Sequence, residues 1–271
     1  MQVKKIIFGV IVTVISVAAV AQNQQQSAKE IKKAANKERI NQLIKQEEEG
    51  AIIFQKQTTF GIKLNSDGYG AFLELGRLKT PRKTNLFSLE LGERKHPKEE
   101  KRYQGNSQGF YIGNPYIFGK VNNFYYAKLG FSQQRLIGGK GNKNGVAVSA
   151  IYGGGLSAGL LKPYYIRIND PQDGNQKDIK YQNNDSVFLA ADIITGSAGL
   201  GKGFNEIKFK PGLFAKTAIR FDYGRYNEVV SAIEVGLNAE FYSSKMPLLL
   251  RNKDKQLFFN AYAAIVFGKR K

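Results

Sequence analysis

The sequence contains one histidine and no cysteine. The side chains that carry most nucleophilic, redox and metal chemistry are therefore nearly absent. His96 is the single imidazole that could act as a general base. It lies in Lys95-His96-Pro97-Lys98, among Lys and Glu, with no Ser at a spacing that suggests a nucleophile–base pair. It reads as a solvated loop histidine. One His without Cys leaves only carboxylates to hold a metal, and none cluster at loop-site spacing. Gly199-Leu200-Gly201-Lys202-Gly203 looks like a phosphate loop but lacks its spacing, and reads as flexible loop. No catalytic residue, metal site or cofactor is expected.

The chemistry that remains is ionic, and it is patterned. In Ile207–Tyr223 the odd positions run Ile207, Phe209, Pro211, Leu213, Ala215, Thr217, Ile219, Phe221, Tyr223. The even positions hold Lys208, Lys210, Lys216, Arg220 and Asp222 among small residues and Phe214. Side chains alternate faces along a strand, so this strand has one apolar face and one charged face. The same alternation recurs along the chain. Its charged faces collect Lys63, Glu74, Glu90, Lys128, Lys216, Arg220, Asp222, Glu234 and Glu240, with Asn238. Cations and anions nearly balance, which predicts an interior ion-pair network. An occluded lumen follows, in preference to an ion pathway.

The elements that must position this network are eight strands. They begin near Gln57, Ala71, Phe87, Tyr125, Val146, Ile207, Ile233 and Phe259. Asn65-Ser66-Asp67-Gly68 is a turn, and 80–85, 138–145 and 224–228 are short connections. The connections 94–123 and 169–205 are long. Short turns at one end and long loops at the other suit an all-β, eight-stranded antiparallel transmembrane β-barrel better than a sandwich. Strand six spans roughly 55 Å, so strands five to seven are expected to project beyond the membrane on the outer side.

The first residues read as export machinery. Lys4 and Lys5 precede an apolar run, Ile6–Val20, that ends in Ala19-Val20-Ala21. This is the plan of a cleaved secretory signal peptide over residues 1–21. The run falls short of the ~20 residues a spanning helix needs. Residues 22–50 read as a periplasmic linker with a short helical segment, Ser27 and Glu30 forming a capping box. The barrel is assigned to 51–271. The formal net charge of +19 raises nucleic acid as a partner, but export places that charge outside the cytoplasm. Anionic lipid head groups or an acidic envelope partner fit better. With no Cys after the signal, an N-terminal lipid anchor is not expected.

In Leu64-Asn65-Ser66-Asp67-Gly68-Tyr69-Gly70, Lys95-His96-Pro97-Lys98-Glu99, Leu161-Lys162-Pro163-Tyr164-Tyr165 and its aromatic last strand, the chain resembles the small outer-membrane β-barrel proteins of Bacteroidota. Their architecture is that of the OmpX and OmpA barrels. The resemblance covers about residues 50–271 and implies an outer-membrane barrel without a peptidoglycan-binding domain. The expected role is non-enzymatic contact with outer-membrane lipid, lipopolysaccharide or another envelope protein, through the outer loops or the N-terminal helix. The alternatives are an accessory subunit of an insertion or secretion complex and a lipid-modifying enzyme. Val187, Phe188, Leu189, Ile193 and Ile194 are too apolar for a free loop. They are expected either to pack over the barrel mouth or to form an outer contact surface.

Overall fold

The structure, a computed structural model, describes residues 33–34, 37–38 and 54–271 apart from 106–110, 141–143, 172, 183–184 and 226–227. The chain divides after Ile53 into two units. In the first, residues 33–34 and 37–38 are helical and exposed. The rest of the expected helix and the expected signal peptide lie outside the described residues.

The second unit holds, in chain order, β1 (Lys56–Asn65), β2 (Gly68–Thr80), β3 (Lys83–Arg94), β4 (Lys101–Gly105), β5 (Tyr111–Ile117), β6 (Asn122–Gly138), β7 (Ala147–Pro163), β8 (Tyr165–Asn169), β9 (Gln176–Lys180), β10 (Ile194–Ser197), β11 (Lys208–Asp222), β12 (Val229–Met246) and β13 (Lys255–Arg270). Eight of them close an antiparallel barrel in the order β1-β13-β12-β11-β7-β6-β3-β2. The ends meet because β1 pairs with β13 from Gln57↔Arg270 to Asn65↔Tyr262. Closure leaves the barrel wall without a free edge.

Period two governs each wall strand. In β13, Phe258, Asn260, Tyr262, Ala264 and Val266 are buried, while Leu257, Phe259, Ile265 and Phe267 are exposed. The interior of an eight-stranded barrel is just wide enough for side chains to fill, and here they fill it. Toward the end with the short turns, Phe72, Leu86, Ile151, Val230 and Val266 form an apolar cluster. Toward the other end, Phe124, Tyr126, Tyr242, Met246 and Phe258 form a second. Glycines make room for the rings between them. A Cβ on Gly61 would lie 2.3 Å from Phe72 Cζ, and one on Gly92 would lie 2.5 Å from Tyr126 Cζ.

The long connections correct the sequence expectation, which left them without strands. One carries the β4–β5 pair, and the other carries a three-stranded sheet in the order β10-β8-β9. These strands run four to seven residues. That is too short for alternation to stand out from turns. Long strands are more numerous than expected: β6 and β13 reach 17 and 16 residues, comparable with 17 in β7, 15 in β11 and 18 in β12.

Around β8 and β10 a third apolar cluster forms from Tyr116, Ile166, Ile168, Phe188 and Ile194, with Ile193 and Leu250 packed against it. Backbone bonds tie the connection 247–254 to the one before β6. Val121 N–H donates to Leu248 O (2.9 Å), and Leu250 N–H donates to Gly119 O (2.8 Å). Tyr164 N–H donates to Val121 O (2.9 Å). The loop end is thus a folded layer.

Candidate functional site

The lumen between the two apolar clusters holds the charged residues as two linked networks. β11 contributes Lys216 and Arg220, whose inward direction follows from the even positions of the strand. Arg220 stands opposite Glu234 of β12 in register. Its Nε and Nη2 donate to Glu234 Oε2 (2.8 and 2.5 Å), and Nη2 also donates to Glu74 Oε2 (2.6 Å). Lys216 Nζ donates to Glu74 Oε1 (3.0 Å), and Thr59 Oγ1 to Glu74 Oε2 (3.3 Å). Arg220, Glu74 and Glu234 are each at most 1% exposed.

The second network starts at Lys63, which donates to both oxygens of Glu90 (2.9 Å each). Lys128 bridges Glu90 (3.2 Å) to Glu240 (2.5 Å). Arg94 then pairs with both Glu240 and Asp67. Tyr262 joins the two networks. Its hydroxyl donates to Glu234 Oε1 (2.6 Å), and Lys63 Nζ lies 3.9 Å from its ring centroid.

The structure therefore brings Lys63, Glu74, Glu90, Lys128, Lys216, Arg220, Glu234 and Glu240 into one connected core. Asp222 stands apart, near the turn end, where Arg270 donates to it (2.6 Å). Asn238 is buried and donates to Asn260 (3.3 Å). Sequence reasoning missed Arg94 by assigning it to the loop. The signal was present, because the inward positions Glu90 and Gly92 continue with period two to residue 94. Lys120, paired with Glu99 (2.8 Å) in the loop end, carried no such signal.

Isolated charges would be costly in this setting, so each must be paired and hydrogen-bonded. The interior is occupied by side chains along its length. Apolar clusters close it toward both ends, and side chains fill the middle. Its chemistry is cohesion across the barrel: the pairs join β1, β2, β3, β6, β11, β12 and β13 through side chains as well as backbone.

Of the two expectations for the apolar segment at 187–194, packing and contact, the described side chains follow packing. Val187 lies in the helical turn Asp185–Phe188. Phe188 and Ile194 are buried at 2% and 1% exposure, and Ile193 packs against them. Phe188 and Ile194 are core of the loop-end layer and not a contact surface; Leu189 is half-buried. Tyr181 stacks edge-on to Phe188 at 5.8 Å. Among the described residues, the large side chains left exposed at this end include Tyr103, Leu200 (80%) and Phe204.

His96 is half-buried and accepts from the Lys98 N–H at Nδ1 (3.2 Å). Burial, reinforced by Lys255, lowers its pKa from 6.5, so the ring is neutral at pH 7. A depressed pKa contributes stability that is present above pH 6.5 and lost as pH falls below it. His96→Ala is expected to leave the lipid profile of the host membrane unchanged, as measured by mass spectrometry of extracted lipids. A changed acyl pattern would restore the lipid-modifying reading. Among the described residues no group of His, Asp and Glu is arranged to hold a metal. In Gly199–Gly203 the Leu200 carbonyl accepts from Lys162 Nζ (2.6 Å), and Gly203 sits at φ 86° before the turn Phe204–Glu206.

No family model matches the chain, and no curated protein matches it. Among solved structures it is similar to Neisserial surface protein A, at 9% identity and a TM-score of 0.39 over 80% of this chain and 97% of that one. It is similar to Ail, the attachment invasion locus protein of Yersinia pestis, at 8% identity and 0.34 over 81% and 100%. It is also similar to the N-terminal β-barrel domain of Pseudomonas aeruginosa OprF, at 11% and 0.33 over 79% and 96%. Likeness at these values carries no statement about activity.

Proposed function

We infer that the chain is an integral outer-membrane β-barrel protein without enzymatic activity, acting through its folded loop end in contacts with lipopolysaccharide or an envelope partner. The observation that carries this reading is the inverted polarity of the wall. Charged side chains are buried inside, and most outward Leu, Ile, Val and Phe side chains are exposed, from 38% at Val229 to 69% at Phe259. In water such a surface would be an aggregation hazard; against hydrocarbon it is solvated. The outward row Leu257–Phe267 of β13 covers ten residue steps, about 34 Å along the strand. At a tilt near 40° it rises about 25 Å, the height of the apolar band of an outer-membrane barrel.

The end bearing the termini and short turns faces the periplasm in this reading, and the loop-end layer faces out. Exposed Leu200 and Phe204 there favour a protein or lipid contact over a purely structural role. A peptide tag inserted at Asn175, in the β8–β9 connection, is expected to be labelled on intact cells. One inserted at Arg82, in the β2–β3 turn, is expected to need permeabilised cells. The opposite labelling would invert the topology, and far-UV dichroism dominated by helix would end the barrel reading.

A further inference from the structure

The outward wall of β2, β3, β6 and β7 carries a feature that neither the lumen nor the loop end uses. Register aligns Leu73, Leu89, Leu129 and Leu156 in one row across the four strands, and Leu75, Phe87, Phe131 and Gly154 in the next. Gly154 has no side chain in a row otherwise filled, and the rings of Phe87 and Phe131 stand 5.1 Å apart beside it. The result is an apolar groove of about 420 Å³ in the outer wall. The position tolerates nothing larger, since a Cβ there would lie 2.5 Å from the Phe214 carbonyl oxygen.

One row closer to the turn end, the same four strands present Arg77, Asn85, Gln133 and Tyr152. Tyr152 donates its hydroxyl to Gln133 Oε1 (2.5 Å), which leaves the Gln133 amide N–H groups as donors. In the following row Lys83 and Arg135 are cross-strand partners. Like charges directly opposite on one face repel. Arg77, Lys83 and Arg135 take part in no ion pair among the described residues, and the one acidic residue outward on these strands, Glu93, lies at the loop end. Successive outward rows are about 7 Å apart. A basic, hydrogen-bonding patch therefore sits one to two rows from an apolar groove, on the face turned to the bilayer.

We propose that this wall binds one anionic phospholipid of the leaflet at the turn end. Its phosphate sits on Arg77, Lys83 and Arg135, and one acyl chain lies in the groove beside Phe131 and Gly154. The assignment rests on the bilayer reading above. The charge selects an anionic over a zwitterionic headgroup, and the groove selects a lipid over a soluble anion.

The test is native mass spectrometry of the full chain released from detergent after incubation with equal amounts of dioleoyl phosphatidylglycerol and dioleoyl phosphatidylcholine. One phosphatidylglycerol is expected to be retained in preference to phosphatidylcholine. The triple variant Arg77→Gln, Lys83→Gln, Arg135→Gln is expected to lower that retention by about 100-fold. A control triple at the loop end, Lys245→Gln, Lys253→Gln, Lys255→Gln, is expected to retain it. Equal retention of the two lipids, an unaffected first triple, or equal loss in the control triple would each overturn the proposal. Insertion of the wild type into phosphatidylcholine vesicles, scored by flotation, separates the two levels. A chain that inserts but shows no headgroup preference defeats the lipid site alone, whereas one that never inserts defeats the bilayer reading as well.

Discussion

Arg220→Ala is expected to lower the unfolding free energy of the barrel by about 3–5 kcal/mol, the cost of stranding a buried charge. The geometry says which charge is stranded. Glu74 keeps Lys216 at 3.0 Å and Thr59 at 3.3 Å. Glu234 loses both guanidinium bonds and keeps only the Tyr262 hydroxyl at 2.6 Å. Urea unfolding in detergent or vesicles reads the loss as a lowered midpoint at unchanged slope. Adding Glu234→Gln to Arg220→Ala is expected to recover part of it, because the uncompensated carboxylate is removed. Arg220→Lys should fall between wild type and Ala, since an ammonium supplies charge but not a fork that reaches Glu74 and Glu234 together. A loss below about 0.5 kcal/mol for Arg220→Ala, within the range of ordinary surface substitutions, would mean that the pair is not buried as described.

Ile219→Arg, one residue away, is expected to act through the other solvent. Ile219 is 46% exposed and stands between Ala150 of β7 and Val235 of β12 on the outward face. It lies within the apolar row Phe209–Tyr223, where an arginine facing lipid costs about 2–4 kcal/mol near the midplane. The measured outcome is a reduced fraction of protein reaching a vesicle-inserted, protease-resistant state. In detergent micelles, whose headgroups the guanidinium can reach, the same variant should fold close to normally. Arg220→Ala should be destabilised in both media. That contrast between adjacent residues separates a lumen-facing from a lipid-facing position. Normal vesicle insertion of Ile219→Arg together with a silent Arg220→Ala would sink the assignment of faces.

The loop end has consequences for how the barrel presents itself. Three connections share a core of Tyr116, Ile166, Ile168, Phe188, Ile194 and Leu250 and are laced by backbone bonds through Gly119, Val121, Leu248 and Leu250. A surface held this way presents a fixed set of side chains, so contact there costs less ordering entropy than contact through free loops.

What the sequence determined by itself was the facing of side chains, because period two is a local property of extended backbone. Lys63, Glu74, Lys128, Arg220 and Glu234 could be assigned to the interior, and Phe60, Leu129, Ile219 and Ile265 to the exterior, without knowing any partner. Short turns and closure into eight strands followed from the same pattern. Register, however, depends on how the sheet shears to close, which no single strand encodes. Only the tertiary structure decided that Arg220 also reaches Glu74 across the lumen, that Lys128 joins Glu90 to Glu240, and that Arg94 belongs to the lumen rather than to the loop. It also decided that Phe188 and Ile194 are core, because segments of four to seven residues show no period until neighbouring strands pair with them. The wall of β2, β3, β6 and β7 has the same origin. Arg77 and Lys83 flank one hairpin and Arg135 and Gly154 belong to another, and the two hairpins become neighbours only when β3 pairs with β6.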